Sequence, residues 1–175
     1  MSLSELRSRA PAGSLTVPQR PDFHHLLTLT HGSLRNAVDF TGYALKPGSW
    51  LWVRPGQVHQ WGDLRQAEGI LILFEHGFLD PATVAAARLD DLNASPVQLP
   101  VGDDRDALKL AAEHLDRESQ ALRQLPLEVH ISVLRHLLAV LVLAVGCKER
   151  DHLVPTSVSH HPETTSSPSL AGSNY

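Results

Sequence analysis

Residues 46–62, KPGSWLWVRPGQVHQWG, decide the fold. Pro47-Gly48 and Pro55-Gly56 are turn signals, and Trp50–Val53 between them is rich in residues that favour strands. Proline at the first corner of a turn presets φ, and glycine at the second accepts positive φ, so Pro55-Gly56 suits a type II turn. Val58 then opens a new strand that runs to Trp61. The stretch therefore reads strand, turn, strand, and it holds all three tryptophans of the chain, Trp50, Trp52 and Trp61, together with His59.

Working outward, residues 23–30, FHHLLTLT, form a strand ended by His31-Gly32. Residues 34–40 form a second strand, with Val38 and Phe40 on one face and Asp39 on the other. Thr41-Gly42 turns the chain into a third strand over 43–45. Residues 68–75, EGILILFE, are apolar enough for a strand buried on both faces. Short strands at close spacing with turns between them predict an antiparallel sandwich or barrel. The chain then changes character. Asp80-Pro81 starts a short helix over PATVAAARL, and 90–102 is a loop. Asp103 or Asp104 caps a helix to about Leu122, with a stripe of Leu108, Ala112, Leu115 and Leu122. Pro126 opens a last helix that ends near Val145 and Gly146.

The last helix carries two apolar stripes. One is Leu127, Ile131, Leu134, Leu138, Leu141 and Val145; beside it run Val133, Leu137, Val140 and Ala144. One stripe covers the domain's own core. The other is left over for a partner or is enclosed within a single chain. The expected organisation is a flexible arm at 1–21, disordered or acting as a lid; a β-barrel at 22–79; a helical region at 80–149; and a Ser/Thr/Pro/His-rich disordered tail at 150–175.

The chain has 175 residues, 42% of them hydrophobic and 19% charged, enough for one sizeable core. The net charge of -4 and the lack of a basic stripe make it a poor nucleic-acid binder by itself. The single cysteine, Cys147, excludes an intrachain disulfide and a multi-cysteine zinc site. The start, MSLSELRSRAPAG, has no apolar leader, and the longest apolar run, 137–147, is short of the ~20 residues of a membrane span. A cytoplasmic protein without membrane contact is the expectation.

Pro55-Gly56-Gln57-Val58-His59 resembles the second motif of the cupins. A metal-dependent cupin also needs an HxH pair, which alternation places on one strand face. This chain has His24-His25 instead, whose side chains point to opposite faces, so at most two imidazoles reach one point. No GxSxG, phosphate loop or HExxH is present. The expectation is no catalytic set, no metal and no cofactor. His59 and Trp61 share one strand face, and a flat indole with one polar anchor is what small-ligand recognition needs. His59 reads equally as an interior histidine with its hydrogen bonds satisfied. Trp50 and Trp52 read as packing residues.

The segment HHLLTLTHGSLRNAVDFTGYALKPGSWLWVRPGQVHQWG resembles the N-terminal effector-binding and dimerisation domain of AraC-type transcription regulators. Gly32 after the first strand, the run Leu45-Lys46-Pro47-Gly48, VRPGQ from Val53, His59, Phe74 and Phe78-Leu79 carry the resemblance, which spans roughly 23–147. It implies a cupin-like jelly-roll barrel followed by two or three helices, a small effector bound inside it, and an arm that closes over the effector. It further implies ligand contacts from His59, Trp61 and Leu71, and a homodimer through Val133, Leu137, Val140 and Ala144. The family's helix-turn-helix domain has no counterpart here, so DNA is expected to be reached only through a module absent from this chain. Two other readings stand beside this one: a small metal-dependent cupin enzyme, and a ligand-free dimerisation module.

Overall fold

The computed structural model describes residues 1–11, 13–121 and 126–151. Seven strands follow the order β1 (His24–His31), β2 (Leu34–Val38), β3 (Thr41–Leu45), β4 (Trp50–Val53), β5 (His59–Trp61), β6 (Glu68–Phe74) and β7 (Val97–Gln98). They form two antiparallel sheets, β6-β1-β4-β7 and β3-β2-β5. Four α-helices, α1 (Leu3–Arg9), α2 (Pro81–Ala86), α3 (Gly102–Gln120) and α4 (Leu127–Asp151), and two short 3-10 helices, Ser14–Thr16 and His76–Phe78, complete the elements of the described residues. The class is mainly β with C-terminal helices, as expected. The two-residue β7 arises within the segment expected to be loop and pairs with β4.

Both Pro-Gly corners form as the sequence indicates. Gly48 has φ +85° and Gly56 φ +86°, and the closing bonds run from Ser49 N–H to the Lys46 carbonyl (2.9 Å) and from Gln57 N–H to the Arg54 carbonyl (3.1 Å). The expected turn at Thr41-Gly42 is corrected. Val38 pairs with Thr41, so the corner is Asp39-Phe40, both at positive φ (48° and 66°), the pattern of a two-residue hairpin turn. Phe40 is consequently outside the strand and 87% exposed. The Asp39 carboxylate compensates the backbone cost by accepting from Val58 N–H (2.8 Å) and from Gln57 Nε2 (2.9 Å). Gln57 Oε1 in turn accepts from Arg54 N–H (2.9 Å), which ties the hairpin to the Pro55-Gly56 corner.

The first sheet is covered on both faces, which explains its nearly continuous apolar strands. Between the sheets, Leu27, Leu51 and Leu71 meet Leu34, Val38 and Trp61 in one buried cluster. On the opposite face Leu26, Trp50, Trp52 and Phe74 pack against Leu108, Leu115, Leu138 and Leu141 of α3 and α4. Trp50 and Trp52 are thus packing residues, as read from the sequence.

Asp80 caps α2, accepting from Thr83 N–H at 3.0 Å. Neither Asp103 nor Asp104 caps α3. The cap position is Val101, and the two aspartates lie in the first turn, where their charge faces the positive end of the helix. Leu122 lies outside the described residues. α4 does not stop at Gly146 but passes through it. A Cβ there would come within 2.7 Å of the Ala87 carbonyl oxygen, so the glycine permits close approach to the end of α2. Leu127–Gly146 has the length and mean hydropathy (2.0) of a membrane span. This corrects the expectation of an apolar run too short to span; Leu138, Leu141, Val142 and Val145 pack in the domain's own core, but only 28% of the stretch is buried.

The arm expected at 1–21 is corrected for its described residues. Ser2 and Glu5 form a reciprocal capping box that starts α1, and Leu3 is fully buried in the cluster between the sheets. Arg7 donates to the carbonyls of Leu64 (2.8 Å) and Ala67 (2.7 Å) and pairs with Glu68 (2.5 Å). Ser2 bridges to Ile70 of β6, and Gln19 bridges to His59 of β5. The N-terminal segment therefore runs from the edge of one sheet to the edge of the other. Of the tail expected at 150–175, residues 150–151 belong instead to α4, and 152–175 lie outside the described residues.

Candidate functional site

Alternation along β1 separates the two adjacent histidines. His24 turns toward the helices, stacking on Phe74 (4.6 Å between ring centres) and accepting at Nδ1 from Trp52 Nε1 (3.2 Å). His25 turns between the sheets. There it meets two rings from β5 in the opposite sheet: His59 at 5.5 Å and, nearly parallel, Trp61 at 6.4 Å. His59 and Trp61 themselves lie 4.6 Å apart. The register of β5 on β2 pairs Asn36 with Trp61, and Asn36 is buried, its Oδ1 accepting from Gly62 N–H (3.1 Å).

Four buried polar atoms in this region have no hydrogen-bond partner among the described residues: His25 Nδ1 and Nε2, His59 Nε2 and Asn36 Nδ2. Buried polar atoms of folded proteins are nearly always paired, with protein, water or ligand. Burial pushes His25 from the usual 6.5 down to about 4. Burial, with a contribution from His25, pushes His59 down to about 3. Both rings are therefore neutral at pH 7, and each presents one N–H donor and one lone pair.

The structure brings His59 and Trp61 together, as their spacing on one strand face requires. Leu71 belongs to the same buried cluster, and its N–H donates to the Met1 carbonyl (2.9 Å), so it lies under the N-terminal segment. That segment also closes over β5. His59 N–H and C=O exchange hydrogen bonds with Gln19 (2.7 and 2.8 Å), and Gln60 Nε2 donates to the Thr16 carbonyl (2.8 Å). Sequence reasoning missed Asn36 and did not choose between His24 and His25. The phase of a strand buried on both faces leaves no polar alternation to decide it.

Among the described residues no group of three His, Cys, Asp or Glu side chains converges. Two imidazoles are one donor short of the three protein ligands a catalytic metal takes, so the donor set does not fit the metal of the cupin enzymes.

The four residues named as a dimer stripe lie along α4. Val133 and Leu137 are half-buried and line a surface groove of about 470 Å³ with Val129, Ser132 and His136. Val140 is 60% exposed, and Ala144 is half-buried against the core. The parallel stripe is buried through Leu138, Leu141 and Val145.

No family model matches the chain, and no curated protein matches it. Among solved structures it is similar to the AraC-like transcriptional activator CuxR, at 17% identity and a TM-score of 0.45, over 75% of this chain and 49% of that one. The chain thus spans about half the length of that protein.

Proposed function

We propose that the chain is a small-molecule-sensing and dimerisation domain of an AraC-type transcription regulator, built as a cupin-like jelly roll. The observation that carries this reading is the cluster of unpartnered polar atoms on His25, His59 and Asn36, beside the Trp61 indole and beneath the N-terminal segment. Neutral imidazoles offer both donors and acceptors, and the indole offers a flat apolar face. A compact polar effector with one planar portion matches that set. The rings are almost inaccessible, so entry requires the segment around Gln19 to leave β5. Effector binding then shifts the balance between open and closed segment. The uncovered stripe of α4 pairs two copies of the chain, and DNA is contacted by a module outside this sequence. The protein is not an enzyme in this reading, and it needs no metal or cofactor.

A thermal-shift screen of polar metabolites tests this. A true effector at about a hundred times its Kd adds roughly 2.7 kcal/mol of apparent stability, a rise in Tm of several degrees. His59→Gln and Trp61→Leu are each expected to abolish that rise. A rise that survives both substitutions places the effector elsewhere and contradicts the assignment.

A further inference from the structure

A cavity of about 570 Å³ lies on the helix side of β6, whereas the imidazole cluster lies between the sheets. Its apolar wall is Ile72, Phe74 and Phe78 on one side and Leu115, Leu134 and Leu138 on the other. That volume and lining are those of a small-molecule site. The rim is polar and its charges are unequal in availability. Asp116 is already engaged by the Met1 amino group (3.0 Å) and by Gln120 Nε2 (2.9 Å). Arg135 is held over the Phe78 ring (5.4 Å to its centre) by a bond from Nε to the Phe78 carbonyl (2.8 Å). Among the described residues no carboxylate lies within ion-pair distance of its guanidinium. The remaining rim charge, Glu75, is solvent-exposed, where screening weakens its effect on a bound anion.

We infer that this cavity binds an amphipathic carboxylic acid, with its apolar body between β6 and the α3–α4 pair and its carboxylate on Arg135. The anchored guanidinium leaves its terminal nitrogens for the acid, the fork geometry that carboxylates match. Phe74 and Phe78 suit an aromatic body. The occupant touches α4 on the side away from the Val133–Leu137 groove, and it touches Met1 at the start of the N-terminal segment. This site goes beyond the effector site proposed above and is independent of it.

The test is calorimetric titration of the full chain with 4-phenylbutyrate and with its neutral analogue 4-phenylbutanol, alongside amide chemical-shift mapping. The acid is expected to bind at least tenfold tighter than the alcohol and to move the amides of Phe78 and Ser119. Arg135→Gln, a surface change, is expected to erase the preference for the acid. Leu134→Trp, which fills the cavity, is expected to abolish binding of both. Trp61→Leu, in the other site, is expected to leave both affinities unchanged. Equal affinity for acid and alcohol, no binding of either, or loss of binding in Trp61→Leu with retention in Leu134→Trp overturns the inference.

Discussion

Between pH 6.5 and pH 4 the domain is expected to lose most of its stability and to unfold near the lower limit. Three buried histidines set this window. Burial lowers His24 to about 4, with smaller contributions from the charges of His76, Arg54 and His25. Burial lowers His25 to about 4 and His59 to about 3. Below pH 6.5 the unfolded chain takes up a proton at each site while the folded chain does not. Stability is therefore fully present above about pH 7 and falls as pH drops toward the folded values. Each histidine costs about 1.4 kcal/mol per pH unit across that range. Three such sites over about two units compete with the whole of a typical domain's 5–15 kcal/mol. The check is Tm by circular dichroism as a function of pH. A steep fall beginning near pH 6.5 is expected, and it becomes shallower in His25→Gln and His59→Gln. A flat Tm down to pH 4.5 contradicts the buried neutral state of these rings.

Leu3→Ala is expected to destabilise the domain by about 3 kcal/mol, the cost of deleting a fully buried leucine where the surroundings collapse only in part. The size follows from position. Leu3 is fully buried between the sheets, although it lies at the start of a seven-residue helix that has no stability alone. Once Leu3 is truncated, α1 keeps its capping box and the bonds of Arg7, but those groups are partly exposed and contribute little. The loosened segment should also release β5, because the His59 N–H is bonded to the Gln19 carbonyl. Urea denaturation measures the first effect, and amide exchange at Leu71 and His59 the second. A loss below about 0.5 kcal/mol, with exchange unchanged, would show that the segment is no part of the core.

The features legible in the sequence are those whose causes are local. Two Pro-Gly corners, the β-rich run between them, the Asp80 cap and the two stripes of α4 all depend on residues within a turn of one another. The features that differed depend on partners far along the chain. The Asp39-Phe40 corner puts a phenylalanine at positive φ, which no local preference favours; Gln57 and Val58 hold it from eighteen and nineteen positions away. Gly146 resembles a helix stop but is a contact with Ala87. Residues 1–21 read as an arm, and it is the burial of Leu3 against strands far along the chain that makes its start a packed helix. His24 and His25 sit in a strand buried on both faces, so only the structure shows which ring joins His59 and Trp61.

The proposed function requires the chain to pair with itself through α4 and to sense through its interior, and the pairing is open to direct measurement. Sedimentation equilibrium of the full chain at micromolar concentration should give a dimer. Val140→Glu places one charge from each copy at the proposed seam, where like charges cost several kcal/mol, so dimer affinity should fall roughly a hundredfold or more. Because Val140 is 60% exposed in the single chain, the variant should remain a folded monomer. A native chain that is monomeric at a hundred micromolar, or a Val140→Glu variant as dimeric as the parent, would contradict the account.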